Sequence, residues 1–210
     1  MDRLTRVFTK PPKLYTPRLV LRAMNHRDHL DMFEYASNPD VTKYLLWAPH
    51  DTPEYTRRYL KQVESSYKKG QFYDWGVEFT ANGKFIGTCG LAAVDMPNNT
   101  AELGYVLNPD YWGMGIATEA LTRVINFCFD ELCFNRVEAR YMLGNDASRR
   151  VMEKCGMKFE GVKRQAIFVR DGYVDVGICA IVASDPRPEN NAVPAPHFKI
   201  NNIFTKSRNT

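Results

Sequence analysis

Hydrophobic residues along the chain recur with two different periods, and these periods predict which segments are strands and which are helices. Alternation at every second residue, which is typical of strands, covers residues 18–24, 101–107 and 137–143. Two dipeptides, Asn82-Gly83 and Asp171-Gly172, lie between short apolar runs. They predict β-hairpins, because both tolerate the positive φ angles that a tight turn demands.

Spacings of three and four residues between apolar positions predict helices. The clearest ones are centred on two sets of residues, with Gly156 placed to end the second: Ala117, Ala120, Leu121, Val124, Ile125 and Cys128, and Ala147, Val151 and Cys155. Residues 28–37 and 53–69 supply two earlier helices. The order is then strand, two helices, three strands, helix, strand, helix and two strands, which predicts a mixed sheet with helices on both faces, an α/β (α+β) domain.

The length of 210 residues, with 44% hydrophobic and 25% charged residues, fits one ordinary domain. We place this domain at residues 14–185, between an N-terminal extension (1–13) and a polar, basic tail rich in Pro and Asn (186–210). The prolines of the tail argue against regular structure before about Phe198. The apolar residues that follow are expected to pack on their own domain or on a second copy of the chain, which makes a homodimer possible.

The net charge of +4 comes from the two ends. Residues 1–13 carry four Arg or Lys against Asp2, and residues 186–210 carry four against Glu189, which leaves 20 basic and 22 acidic residues between them. This distribution argues against nucleic acid as a partner. The charged start and the lack of a long apolar run predict a cytoplasmic protein with no membrane partner. The five cysteines have no zinc-type spacing and predict reduced core thiols and no metal site.

The most informative stretch covers residues 101–120, where a strand ends at Asn108-Pro109 and a glycine-containing loop opens directly into an amphipathic helix. Free backbone N–H groups and the dipole at a helix start can hold a pyrophosphate, and Gly113 and Gly115 leave room for it. The plainer alternative is that these glycines only shape a connection. A Rossmann-type dinucleotide site fits less well, because the loop reads Gly-x-Gly-x-Ala and comes late in the chain.

The segment from Tyr111 to Ala120 resembles the coenzyme A loop of the GCN5-related N-acetyltransferase (GNAT) superfamily, in the form typical of its RimJ/RimL-like branch of protein N-terminal acetyltransferases. Residues 16–22, 101–105 and 145–157 agree with that branch, so the resemblance covers about residues 14–183. It implies a mostly antiparallel sheet in which two central strands, one ending near Leu107 and one at 137–143, splay apart. The residues implied to bind acetyl-CoA are Val106, Leu107, Trp112, Gly113, Met114, Gly115, Ile116, Ala117, Thr118 and Asn145.

The resemblance also implies that an amine attacks acetyl-CoA directly in a ternary complex. Such a reaction needs a free amine, stabilisation of the oxyanion and a proton for the departing thiolate. A backbone N–H near Val106 or Leu107 is expected to bind the oxyanion. Glu102 is the candidate base, and an ion pair with an arginine on a solvated strand is an equal alternative.

Ser148 is the candidate acid, since Met152 stands where the wider family has a tyrosine and a thioether cannot donate a proton. An ordinary serine in the first helical turn is the alternative. Asn145 is expected to contact the pantetheine amides or, instead, to cap its helix. Tyr44 and Trp47 are expected either to wall the acceptor pocket or to cap the core.

The acceptor is less well defined by the sequence. A peptide or protein N-terminal α-amine leads, and a polyamine or an aminoglycoside is the alternative. A coenzyme A-binding sensor without catalysis is a further hypothesis, suggested by Met152.

Overall fold

A computed structural model describes residues 3–188 of the chain, so only residues 186–188 of the predicted tail fall within it. The sheet has eight strands in the order β1-β2-β3-β4-β5-β6-β8-β7. The strands are β1 (Leu14–Tyr15), β2 (Leu19–Arg22), β3 (Asp74–Phe79), β4 (Lys84–Asp95), β5 (Thr100–Leu107), β6 (Arg136–Met142), β7 (Lys158–Val169) and β8 (Gly172–Val182). The helices are α1 (Arg3–Phe8), α2 (His29–Ala36), α3 (Pro39–Thr42), α4 (Pro53–Lys68), α5 (Ile116–Asp130) and α6 (Asp146–Lys154).

The predicted order of elements is confirmed, with α1, β1 and α3 added. The last two are too short to leave a periodic pattern: β1 has two residues, and α3 is a single turn capped by the Asn38 side chain. Helix α1 lies in the N-terminal extension and is joined firmly to the rest of the fold. Its Phe8 is fully buried, with its ring centroid 4.9 Å from that of Trp75.

Two hydrophobic cores lie on opposite faces of the sheet, as predicted. Adjacent residues on β4 show the division, because successive side chains of a strand point to opposite faces. Ile86 packs into the larger core with α1, α5 and α6, and Phe85 packs into the smaller core with α2, α3 and α4. We refer to these as the α5–α6 face and the α2–α4 face.

Both predicted hairpins are present. Gly83 takes a φ of 70° in the connection between β3 and β4. In the second hairpin the turn lies one residue earlier than expected: Gly172 already pairs with Val169, and the positive φ of 54° belongs to Arg170. The guanidinium of Arg170 donates to the carbonyl oxygen of Thr42 at 3.1 Å, which helps to hold this residue in a conformation that is otherwise unfavourable.

The two central strands splay apart, as the family resemblance implied. In the described part of the chain every pairing is antiparallel except that of β5 with β6. This parallel ladder joins only residues 100–103 to residues 136–139. Beyond it β5 stays paired with β4 as far as Leu107, and β6 with β8 as far as Met142. The two halves of the sheet therefore open into a wedge between residues 104–107 and residues 140–142.

Four of the five cysteines are buried, as expected for core thiols, and Cys133 is exposed. Cys133 lies in the connection between α5 and β6, with a φ of 52°. Within residues 3–188, none of the helices combines the length and the apolar character needed to cross a bilayer.

Candidate active site

The wedge between β5 and β6 opens into a cavity of about 430 Å³ that reaches both faces of the sheet. On the α5–α6 face its wall includes Tyr105, Ser148 and Met152. On the α2–α4 face the wall is largely aromatic and comes from α2, α4 and the loop after α3. A substrate lying in the wedge would therefore be accessible from two sides.

The glycine loop has the predicted form at the mouth of this wedge. Gly113 and Gly115 have φ angles of 75° and 77°, and a Cβ on Gly113 would meet nothing within 4 Å. Helix α5 starts at Ile116 without a side-chain cap, so its first N–H groups are not bonded to a capping side chain. Trp112 is half-exposed, and its Nε1 donates to the carbonyl oxygen of Leu107 at 2.8 Å, which ties the loop to the end of β5.

A clamp that the sequence analysis missed holds this loop against β2. The Nε atom of Arg18 lies 2.7 Å from Oε2 of Glu119, and Nη1 donates to the carbonyl oxygen of Met114 at 2.9 Å. The other carboxylate oxygen of Glu119 accepts from the Arg18 backbone N–H and from the Thr16 hydroxyl, at 2.9 Å and 2.6 Å. Arg18 and Glu119 both lie in segments that carried the family resemblance, and this could have identified them from the sequence.

Glu102 lies on the cavity wall, as expected for a base, and its carboxylate is also paired with an arginine, which was the alternative. Its two oxygens lie 2.7 Å and 2.5 Å from Nε and Nη2 of Arg140 on β6. The pair spans the point at which β5 and β6 separate. Hydrogen bonding to Glu102 raises the pKa of Arg140, so the guanidinium stays charged.

Ser148 lies on the opposite side of the wedge, within hydrogen-bond distance of a residue that the sequence analysis did not single out. The Oη atom of Tyr105 is 2.8 Å from Oγ of Ser148 and donates to the Ser148 carbonyl oxygen at 3.0 Å. Burial raises the pKa of Tyr105, so its hydroxyl keeps its proton at neutral pH. The alternation of side chains along β5 could have identified Tyr105 from the sequence, because it places Tyr105 on the α5–α6 face together with Leu103.

Four other predicted site residues line the same cavity, and they are Val106, Asn145, Tyr44 and Trp47. Asn145 caps α6, its Oδ1 accepting from the backbone N–H of Ser148 at 3.2 Å, so the capping alternative holds for its oxygen. Tyr44 donates to the carbonyl oxygen of Gly144 at 3.1 Å and so joins the loop after α3 to the end of β6. Trp47 packs beside His50, with ring centroids 5.3 Å apart, and contacts the smaller core as well as the cavity.

Asp74, at the start of β3, is a further cavity residue that the sequence analysis missed. Its carboxylate accepts from the Trp75 backbone N–H at 3.0 Å and from the Thr88 hydroxyl. Burial outweighs these bonds and raises its pKa from 3.8 to about 7. Among the described residues it has no ion-pair partner.

Comparisons with known proteins agree with this geometry. The acetyltransferase (GNAT) domain family matches residues 18–158. The protein named "Uncharacterized N-acetyltransferase p20" of Bacillus licheniformis is 32% identical over 163 residues, which cover 78% of this chain and 92% of that protein. The protein named "Putative ribosomal N-acetyltransferase YdaF" of Bacillus subtilis is 32% identical over 126 residues, which cover 59% of this chain and 62% of that protein.

Solved structures share the fold. A GNAT-family acetyltransferase from Bacillus anthracis has a TM-score of 0.75 at 27% identity, covering 83% of this chain and 100% of that one. The microcin C7 self-immunity acetyltransferase MccE, solved in complex with acetyl-CoA and AMP, has a TM-score of 0.70 at 18% identity, covering 79% of this chain and 93% of that one.

Proposed function

The chain belongs to the GNAT acetyltransferase family and is an N-acetyltransferase that uses acetyl-CoA as its donor, and we propose that its acceptor is the α-amine of a peptide or protein N-terminus. The amine attacks the thioester directly in a ternary complex. The observation that carries this reading is the wedge between β5 and β6, which gives a donor and an acceptor access to one point from opposite faces of the sheet.

The donor fits the loop and the wedge. We assign the pyrophosphate to the uncapped start of α5 and to the open backbone at Gly113 and Gly115, at residues 113–118. Trp112 supports the loop from the side, and the amide of Asn145 is available to the pantetheine arm. Because coenzyme A supplies the thioester, the protein has to orient it, provide a free amine, stabilise the oxyanion and return a proton to the sulfur.

Strand register favours Leu107 over Val106 as the oxyanion donor. The N–H of Asn108 points to β4, where it donates to the carbonyl oxygen of Ile86 at 2.7 Å. Successive N–H groups of a strand point to opposite sides, so the N–H of Leu107 is expected to point away from β4, into the wedge. A backbone donor fixed in this way needs no reorganisation as charge develops on the oxygen.

We assign the proton for the departing thiolate to the hydroxyl pair of Ser148 and Tyr105. Their oxygens are 2.8 Å apart, so a proton given up by one hydroxyl can be replaced from the other. This pair supplies the hydroxyl chemistry that Met152 cannot. It therefore supports an enzyme over a coenzyme A sensor.

The acceptor assignment rests on the RimJ/RimL-like loop and on the name of YdaF, a relative described as a ribosomal N-acetyltransferase. Polyamine and aminoglycoside acetylation use the same chemistry and differ in the acceptor only. Glu102, held by Arg140 at the point where β5 and β6 separate, is our sequence-based candidate for the base.

A panel of amines tests this proposal, with release of free thiol from acetyl-CoA as the readout. We expect release with a short peptide that has a free α-amine, and none with the same peptide formylated there. Spermidine and kanamycin represent the alternative acceptors, and faster turnover of either would replace the peptide. Tight acetyl-CoA binding without amine-dependent release would support the sensor.

We assign the catalytic unit to residues 14–185, with Leu4 and Phe8 of the extension buried against it. The cytoplasmic location and the homodimer stay predictions from the sequence.

A further inference from the structure

Asp74 faces the wedge across two glycines, and this arrangement assigns it a role that the family comparison does not supply. We propose that Asp74 receives the acceptor amine as an ammonium ion on the α2–α4 face and removes its proton before attack. The inference rests on the proposed function, because it deepens the account of the same site. It makes Asp74 a catalytic residue. It also makes the acceptor a protonated, aliphatic primary amine.

Strand register places Asp74, Gly90 and Gly104 side by side in one row across three neighbouring strands. Asp74 on β3 lies opposite Gly90 on β4, and Gly90 lies opposite Gly104 on β5. Residues directly opposite each other in antiparallel strands share a face. Gly104 is the first residue of β5 beyond the ladder with β6, so the row ends at the opening of the wedge.

The side chain of Asp74 lies over the first of these glycines. A Cβ built on Gly90 would come within 2.6 Å of Oδ1 of Asp74 and closer still to its Cα, so the carboxylate occupies the space that a side chain at position 90 would need. A Cβ on Gly104 would meet only the Ala92 Cβ, at 3.6 Å. Since neighbouring strands are about 5 Å apart, the carboxylate is about one strand spacing from the backbone at the wedge.

The row lies on the face opposite to the proposed acid. Gly76, two residues after Asp74, points toward Phe85 and Met24 of the smaller core, which places Asp74 on the α2–α4 face. Tyr105 and Ser148 meet on the α5–α6 face. The amine and the leaving sulfur are thereby served by different groups on the two sides of the split sheet.

The cavity wall around Asp74 suits a cation. It is formed by aromatic rings whose faces attract positive charge, contributed by Tyr35, Trp47, His50, Tyr55 and Tyr59. Burial lowers the pKa of His50, so its ring is neutral at neutral pH. The one arginine of this wall, Arg140, is already neutralised by Glu102 within the described residues.

A buried hydroxyl without a partner lies on the same wall. Tyr35 is 1% exposed, and its Oη has no hydrogen-bond partner within residues 3–188. Because leaving a buried hydroxyl unpaired is unfavourable, it is expected to bind something that enters the cavity. An ammonium group paired with Asp74 can donate a hydrogen bond to this oxygen. The unpaired Tyr35 hydroxyl is thus an observation, independent of the carboxylate, that points to a ligand on this wall.

The groups facing Asp74 from each neighbouring element leave it as the one that changes charge near neutrality. They are Tyr35 on α2, Tyr59 and Tyr67 on α4, and Thr88 on β4, while Cys89 on β4 lies beside Asp74 on the opposite face of the sheet. Burial raises the pKa of the three tyrosines and of Cys89, so these groups stay protonated and uncharged. Of the other titratable groups on this wall, His50 is neutral in this range, and Glu102 and Arg140 are paired with each other.

The proton balance is complete with these residues. The ammonium group gives one proton to the Asp74 carboxylate, which later releases it to water. The free amine attacks the thioester carbon, a C–N bond forms and the C–S bond breaks. Nitrogen loses its second proton to water as the amide forms, and water returns a proton to the Ser148 and Tyr105 pair, which has protonated the departing thiolate.

The test measures amine-dependent thiol release against pH for the full chain and three variants: Asp74→Asn, Glu102→Gln and, as a matched surface control, Asp171→Asn. We expect Asp74→Asn to lose about a hundredfold or more in kcat/KM for the amine and to lose the fall in rate on the acid side of about pH 7. Binding of coenzyme A, measured by calorimetry, should be unchanged. Asp171→Asn should keep the acid limb. Glu102→Gln tests the sequence-based candidate for the base, and it keeps the limb only if Asp74, and not Glu102, takes the proton.

A second variant covers the case in which Asp74→Asn fails to fold. Thr88→Val keeps the carboxylate and removes a hydrogen bond that stabilises its charged form, so the acid limb should move to higher pH. An Asp74→Asn enzyme with wild-type rate and limb, or loss of the limb in Glu102→Gln alone, would overturn the inference. A wild-type chain that binds coenzyme A and releases no thiol with any amine would instead refute the proposed function.

Discussion

The same Asp74→Asn substitution that removes the proposed base is expected to stabilise the folded protein at neutral pH. Burial raises the pKa of Asp74 from 3.8 to about 7, so keeping this carboxylate ionised in the fold costs free energy. Asparagine has nearly the same shape, can still accept from the Trp75 N–H and carries no charge to desolvate. Function and stability should therefore respond in opposite directions.

The magnitude follows from the shift of about three pKa units, at about 1.4 kcal/mol each, which gives about 4 kcal/mol as an upper limit. Water in the cavity will reduce it, and we expect about 2–4 kcal/mol at pH 8. The sign is fixed by linkage: the folded state binds this proton more tightly than the unfolded state does. The stability of the wild type is thus highest below about pH 4 and falls, on account of this group, as the pH rises to about 7.

Urea unfolding of both proteins at several pH values between 4 and 8 measures the effect. Contributions from other titrating groups cancel in the difference between the two free energies of unfolding. That difference should be close to zero at pH 4 and should grow to a plateau above pH 7. A variant that is less stable than the wild type at pH 8, or a difference independent of pH, would refute the reasoning.

Four further substitutions test the site. Tyr105→Phe should lower kcat about tenfold or more with little change in donor affinity. Adding Ser148→Ala should lower it little further, because the two hydroxyls act as one donor. Single-turnover thiol release measures both effects, and additive losses would show that the two hydroxyls act independently. Gly115→Ala places a side chain at a φ of 77° and should cost about 1–2 kcal/mol in thermal unfolding and weaken coenzyme A binding, whereas unchanged binding would argue against the loop. Gly90→Ala should cost about 1–3 kcal/mol and abolish amine turnover by displacing Asp74, and retained turnover would show that the row is dispensable.

Local pattern and family resemblance together account for much of the fold. The periodicity of residues 101–107 and 137–143 located both central strands, and the loop from Tyr111 onward located the helix that follows. These features depend on neighbouring residues, which is the information that a sequence exposes directly. The hairpin at Asn82-Gly83 was predictable for the same reason.

The row from Asp74 to Gly104 depends instead on register across three strands, which no local pattern reveals. Near the turn Phe79 pairs with Lys84, and a shift between Val77 and Glu78 then moves the pairing by one residue. Without that shift Cys89 would face Asp74 in place of Gly90. A slip of one residue exchanges the two faces of a strand, so the site could not be built from the sequence.

Ion pairs between distant segments were equally hidden. The sequence left Glu102 with two roles, base or partner of an arginine, and did not identify Arg140, which lies 38 residues further along the chain. Arg18 and Glu119 are 101 residues apart. Such pairs become visible only when the strands are assembled, whereas helix caps such as Asn145 are set within one turn.

The short ladder between β5 and β6 has a mechanical consequence. The sheet consists in effect of two smaller sheets that are hydrogen-bonded to each other at one end only. Beyond that ladder, the backbone groups of β5 and β6 that face the wedge lack a neighbouring strand to pair with. The pantetheine arm carries its own amides and can stand in as a temporary strand. In each catalytic cycle the two halves of the sheet would then be joined when acetyl-CoA binds and separated again when coenzyme A leaves.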